Sequence, residues 1–167
     1  MYTFKNVEKH LRSFLEGKRP FEMNNPKMKE LLHRLSWNIY QKQHQRECEA
    51  ATQYFLKFDT DRDPCLLTLN KERLYYRKIK EGNGEILKRE DIPLLNYQIR
   101  LRNGEVVFDK VDLKRAIRGF KEGLVGRKIG EKGILYIHPE WGYQDFFMTP
   151  YADKLLEVNF EVMGLIE

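Results

Sequence analysis

The residues able to do acid–base, nucleophilic or metal chemistry in this chain are few and scattered. Of the four histidines, His10, His33 and His44 fall in the N-terminal part, and His138 stands immediately before Pro139. Two cysteines, Cys48 and Cys65, do not make a disulfide framework, which needs several in even number. Cys48 follows His44 by four residues, an i, i+4 pair of donors. A metal centre normally draws on a larger Cys/His cluster, so two free thiols are the expectation. Gly82-Asn83-Gly84 lacks the third glycine that would open a helix in a dinucleotide fingerprint. Neither a nucleophile elbow nor a phosphate-cradling loop ending in Gly-Lys-Ser/Thr occurs. What stands out instead is aromatic density in the C-terminal part of a chain with ten Phe, nine Tyr and two Trp.

Composition narrows the classes further. The 167 residues carry 30 Lys plus Arg against 25 Asp plus Glu, a formal net charge of +5, with 41% hydrophobic and 33% charged residues. That is enough apolar mass for one core and argues against wholesale disorder. Basic residues are spread thinly with acids between them, unlike the concentrated stripe of a nucleic-acid binder, so no nucleic-acid partner is expected. Charges interrupt the chain too often for a membrane span. The start, Met1-Tyr2-Thr3-Phe4-Lys5, leads into no apolar stretch of the secretory kind, so no signal peptide is expected in these residues.

The elements that must position any site fall into two textures. Phe4, Val7, Leu11, Phe14 and Leu15 recur at helical spacing and end at Gly17, a natural residue just past a helix end. Asn25 and Pro26 then supply an N-cap and a first helical position for a second helix, with Met28, Leu31, Leu32, Leu35 and Ile39 on its face. Residues 41–49 are polar all round before Ala50, Tyr54, Phe55 and Phe58 restore an apolar face. A helix over residues 26–58 would be about 50 Å long, and its polar middle is expected to bridge solvent. The first 40 residues are too few to bury their own stripes, which points to a homodimer formed through residues 1–40.

From residue 59 the signals are strands and turns. Residues 74–80 are β-prone. Leu95, Tyr97, Ile99 and Leu101 alternate with polar residues, and Asn103-Gly104 is a strong hairpin turn. Residues 116–125 read as a short helix, 132–138 as a strand, and Leu156, Val158, Phe160 and Val162 as the inward face of a last strand. About five antiparallel strands and one short helix packed on a sheet face make the class α+β. The expected domains are 1–40, a helical dimerisation module, 41–60, a connecting helix, and 61–167, the α+β domain.

Four blocks of that last domain resemble the FKBP-type peptidyl-prolyl cis/trans isomerases. They are Gly104-Glu105-Val106-Val107-Phe108-Asp109, the run from Ala116-Ile117-Arg118-Gly119-Phe120 to Leu124, Ile129-Gly130-Glu131-Lys132-Gly133, and the run from Leu135 to Tyr143 containing Pro139-Glu140-Trp141-Gly142-Tyr143. The segment around Phe14 to Pro20, the long helix and Leu74-Tyr75-Tyr76 resemble the Mip-like (macrophage infectivity potentiator) branch. The resemblance implies an antiparallel sheet wrapped on one short helix, a helical N-terminal module, and isomerase activity on proline-containing polypeptides. It implies no covalent chemistry, no metal and no cofactor. A rapamycin-type macrolide is a candidate ligand on the same grounds, and the bacterial periplasm or outer membrane a candidate location.

By the same resemblance, Tyr97 and Phe108 wall a proline pocket and Phe120 forms its floor. Ile117 offers a side chain and a backbone N–H, Tyr143 a hydroxyl, and Asp109 a polar group at the rim. Ala116, Trp141 and Val158 line or back the pocket, and Gly142 and Phe147 complete the substrate-binding set. This chain departs from the family at several points. Phe120 stands where the family has Trp, residues 109–116 are shorter than usual, Gln144 follows the tyrosine in place of Gly, and Val158 replaces Phe. The alternative these departures raise is an FKBP-like chaperone that holds clients with little catalysis.

Overall fold

A computed structural model describes Lys9 and residues 26–107, 117–143 and 154–166. The expected first helix, apart from Lys9, lies outside the described residues, as do Phe108, Asp109, Ala116 and Phe147. The chain divides into two compact units, Met1–Gln43 and His44–Glu167.

Helix α1, Pro26–Phe55, begins at the proline expected to start it. It stops three residues short of Phe58, because the chain tightens into i→i+3 bonds from Lys57 to Tyr54 and from Phe58 to Phe55. That turn brings Phe58 edge-on to Tyr75 and Tyr136, at centroid distances of 5.2 and 4.8 Å.

The second unit is built on β1 (Leu66–Asn70), β2 (Leu74–Lys80), β3 (Pro93–Leu101), β4 (Val106–Val107), α2 (Arg118–Leu124), β5 (Lys132–Ile137), a 3₁₀ turn (Pro139–Trp141) and β6 (Leu156–Leu165). The strands form one sheet in the order β1-β2-β5-β6-β3-β4, with every pairing antiparallel. This sheet has one strand more than the sequence suggested. β1 escapes notice because it lies at the edge and buries only Leu66, so it has no period-2 pattern to read.

Alternation then sorts the side chains onto two faces. Tyr76, Leu135, Ile137, Leu156, Val158, Phe160 and Val162 join Phe120 and Leu124 of α2 in the main core. Their neighbours Tyr75 and Tyr136 turn the other way and pack with Ala51, Phe55, Leu66 and Leu155. So the end of α1 covers the second sheet face, where a single helix on one face was expected. The supposed solvent bridge is also corrected from His44 onward. Glu47 pairs with Lys154, and the His138 ring bonds the Cys48 carbonyl at 3.2 Å. These contacts are polar, so apolar periodicity could not reveal them.

Helix α2 sits close on β5 because two glycines one turn apart face the sheet. A Cβ at Gly119 would stand 2.3 Å from Ile137 Cγ2, and one at Gly123 would stand 2.4 Å from Leu135 Cδ2. Beneath the sheet's other end, buried Glu131 accepts from the Tyr76 hydroxyl at 2.5 Å and from the Lys128 N–H at 2.9 Å. The Arg127 guanidinium lies over the Tyr76 ring, 4.2 Å from its centroid. Burial, and then the bond to Glu131, push the Tyr76 hydroxyl well above the usual phenol range.

His138 is 1% exposed and accepts the Glu140 N–H at Nδ1, 3.2 Å away, so its Nε2–H points to the Cys48 carbonyl. Burial, and then the nearby Arg73 charge, hold its pKa below the ordinary 6.5. The folded state therefore binds fewer protons at His138 than the unfolded chain does. Its contribution to stability is complete above about pH 6.5 and is lost as pH falls below that value. The unfolding free energy from urea titration is expected to drop between about pH 7.5 and about pH 5.5, by at most about 1.4 kcal/mol per pH unit for this group. His138→Gln, which does not titrate, should flatten the profile. An unchanged slope in that variant would assign the acid sensitivity to other groups.

Candidate functional site

The site grows from α2, the only helix in the main core among the described residues. Ile117 precedes it with extended backbone (φ −55°, ψ 150°), and its carbonyl accepts from Phe120 N–H at 3.1 Å and Lys121 N–H at 3.2 Å. Three residues on, Phe120 points into the core and is 1% exposed. Its ring meets Tyr97 of β3 at a centroid distance of 5.8 Å and an interplanar angle of 55°. That tilt suits aromatic quadrupoles, which avoid face-to-face stacking.

β6 supplies the wall behind this pair. Tyr97 stands opposite Phe160, and Ile99 opposite Val158, which is fully buried. Tyr143 follows the 3₁₀ turn and is buried in the same cluster, while Trp141 packs on its edge. Arg118 lies over the Trp141 ring at 4.0 Å from the centroid, a cation–π contact that ties the start of α2 to the turn carrying Tyr143. Sequence reasoning did not single out Arg118. Its position two residues before Phe120, on the outer side of a short helix, was the only available signal.

Six of the expected residues thus converge. Tyr97, Ile117, Phe120, Trp141, Tyr143 and Val158 share one apolar cluster. Gly142 adjoins them, but a Cβ there would meet its neighbours at ordinary distances of 3.5 Å or more, so nothing in the packing demands glycine. Each ring of the central pair borders a concavity. Phe120 lines a groove of about 520 Å³ between α2 and segment 87–93. Tyr97 lines one of about 360 Å³ with Ile99, Val106 and Val107. The Arg89–Glu122 pair, doubly bonded at 2.8 Å, belongs to the larger groove's lining.

Among the described residues, the groove beside Phe120 carries the charged Lys88, Arg89, Glu90, Asp91, Lys121 and Glu122, while the Tyr97–Phe120 cluster itself is apolar and aromatic, with hydroxyl and amide groups. It is suited to holding a ring and a neutral backbone segment rather than to proton transfer.

Comparison with known proteins agrees. The family described as FKBP-type peptidyl-prolyl cis-trans isomerase matches residues 84–162. The chain is 32% identical over 133 residues to the peptidyl-prolyl cis-trans isomerase Mip of Chlamydia muridarum, covering 71% of this chain and 54% of that protein. The Mip of Chlamydia trachomatis is 31% identical over the same shares. This chain therefore spans about half the length of the curated relatives it matches. Two solved structures share the fold at 18% identity. They are a peptidyl-prolyl cis-trans isomerase from Pseudomonas syringae pv. tomato (TM-score 0.61, 74% of this chain and 96% of that one) and FkpA from Escherichia coli (TM-score 0.62, 98% and 82%). The antiparallel sheet with α2 on one face is their fold, and the matched sequence carries the site just described. The α+β domain of this chain belongs to the FKBP-type peptidyl-prolyl cis-trans isomerase family, in its Mip-like branch.

Proposed function

We propose that this domain accelerates cis–trans rotation of Xaa-Pro bonds in polypeptide clients. The Tyr97–Phe120 ring pair, with Ile117 and Tyr143 in the same cluster, is the observation that supports this reading most strongly. Rotation about a peptide bond is slow because conjugation sets a barrier of about 18–20 kcal/mol. At Xaa-Pro both isomers are populated, so a catalyst of rotation has work to do. The half-rotated amide has lost conjugation and much of its polarity, so an apolar cup favours it over the planar ground state. Tyr97, Phe108 and Phe120 grip the prolyl ring. The Tyr143 hydroxyl and the Ile117 N–H donate to flanking carbonyls, and Asp109 stands at the rim. Ala116, Trp141, Gly142, Phe147 and Val158 shape the surround. The gain is differential binding of the transition state, with no bond to the protein formed.

The same reading assigns residues 1–40 to homodimerisation, 41–60 to the connecting helix and 61–167 to the isomerase domain. It takes a rapamycin-type macrolide as a pocket ligand and the bacterial envelope as the location. Among the described residues no helix is long and apolar enough to cross a membrane.

A protease-coupled assay on an Xaa-Pro peptide tests the proposal. Tyr143→Phe removes one hydrogen bond worth about 1 kcal/mol, so kcat/KM should fall about fivefold. A second reading, a client-holding module with weak catalysis, is favoured by the near-complete burial of Phe120 and Val158. It predicts suppression of client aggregation that survives Tyr143→Phe and Asp109→Leu, together with wild-type rates no faster than the uncatalysed reaction.

A further inference from the structure

We propose that His44, Cys48 and Glu140 form a binding site for a divalent transition-metal cation of the zinc type. One ligand atom from each residue lies within 4.8 Å of the other two, and all three residues are half-buried in the same unit of the chain. His44 and Cys48 stand one turn apart on α1, which places both donors on one face. Their Nε2 and Sγ atoms are 3.5 Å apart. In a tetrahedral site with zinc–nitrogen and zinc–sulfur bonds of about 2.0 and 2.3 Å, such ligands are separated by about 3.5 Å. The helix therefore already holds one edge of the tetrahedron. Glu140, in the middle of the 3₁₀ turn, brings a carboxylate oxygen within 4.8 Å of both donors, and a bound cation would draw it in as the third corner.

The surroundings fit a ligand set rather than a chance encounter. Arg73 Nε bonds Glu140 Oε2 at 2.5 Å, which orients the carboxylate while leaving it lone pairs for a metal. The His138 ring bonds the backbone of both other elements, accepting the Glu140 N–H and donating to the Cys48 carbonyl, so one buried imidazole fixes the two chains that carry the ligands. Outer contacts of this kind orient metal ligands in established sites. A groove of about 230 Å³, lined by Cys48, Thr52, Arg73, His138 and Glu140 among others, gives room for water as a fourth ligand.

Thiolate, imidazole and carboxylate together select zinc-type cations over calcium or magnesium, which prefer all-oxygen shells. Without metal, the 3.5 Å contact is a thiol–imidazole hydrogen bond. On binding, the Cys48 proton passes to solvent, and the thiolate and carboxylate balance the charge of the cation. The metal would clip α1 to the turn that leads into Tyr143.

The test is titration of the untagged, reduced full chain with Co²⁺, followed by absorption. The expected result is a thiolate-to-cobalt charge-transfer band with the intense visible bands of a four-coordinate ion, saturating at one Co²⁺ per chain and bleached by Zn²⁺. Cys48→Ser should abolish the charge-transfer band. His44→Ala and Glu140→Gln should each weaken Co²⁺ binding at least about tenfold, and Cys65→Ser should leave it unchanged. His44→Ala raises helix propensity, so a folding defect does not cloud that arm. Absence of the band in the wild-type chain, or its survival in Cys48→Ser, would overturn the site.

Discussion

Glu131→Ala is expected to destabilise the sheet domain by about 3–5 kcal/mol, a large part of the stability of an ordinary domain. The carboxylate is 2% exposed and serves three donors at once. Oε1 accepts from the Tyr76 hydroxyl at 2.5 Å and from Arg127 Nη1 at 3.4 Å, and Oε2 accepts from the Lys128 N–H at 2.9 Å. Arg127 is itself mostly buried, with 12% of its side chain exposed, and lies over the Tyr76 ring. Removing the acid strands a buried cation, a phenol and a backbone amide, and that loss sets the magnitude. Glu131→Gln keeps the shape and one good acceptor, so it should cost less, about 1–3 kcal/mol. Urea unfolding with an unchanged m-value measures both. A Glu131→Ala midpoint close to that of the wild type would mean the cluster contributes nothing net.

The second large effect is a reversal of sign at Gly119. On an exposed helix, Gly→Ala stabilises by about 1 kcal/mol. Here the new methyl would stand 2.3 Å from Ile137 Cγ2 and 3.2 Å from the Trp141 carbonyl oxygen. Ile137 is fully buried and β-branched, so it cannot swing aside. Overpacking of this kind costs about 1–3 kcal/mol. The relief available is for α2 to lift off β5, and Phe120 is the next residue. Moving that ring away from Tyr97 by a fraction of an ångström should lower kcat/KM about tenfold or more. Gly123→Ala would place its methyl 2.4 Å from Leu135 Cδ2, 2.5 Å from Cδ1 and 3.0 Å from Cγ, and Leu135 is fully buried, so a comparable loss of stability is expected there. Gly119→Ala that stabilises the domain and leaves the rate intact would show that α2 is not seated as closely as described.

Much of this architecture is written in simple periodicity. In β6 the buried and partly buried residues alternate from Leu156 to Val162 as the sequence implies, and β2 occupies residues 74–80 as expected. Gly104, with φ +86°, turns the chain between β3 and β4 where Asn103-Gly104 announced a hairpin. What escaped notice had no periodic signature. β1 buries a single leucine. The end of α1 docks through the apolar face of Ala51 and Phe55, but its polar stretch around Glu47 and Cys48 is held by an ion pair and a carbonyl bond to His138.

The candidate site divides in the same way. Phe120 and Tyr143 stand out through motif context, although their types alone would read as core filling. The third donor of the His44–Cys48 cluster is Glu140, far along the chain, so no spacing rule could supply it. Glu131 lies inside the family-like Ile129–Gly133 segment, yet only packing shows it to be buried.

Catalysis of prolyl rotation by the aromatic cluster around Tyr97 and Phe120 is open to direct measurement. The most direct measurement is exchange NMR on an Xaa-Pro peptide with a catalytic amount of the full chain. Uncatalysed exchange takes tens to hundreds of seconds. Cis–trans cross-peaks are expected at mixing times of about one second or less, weakened in Tyr143→Phe. Exchange no faster with the protein than without it would mean that the cluster does not catalyse the rotation.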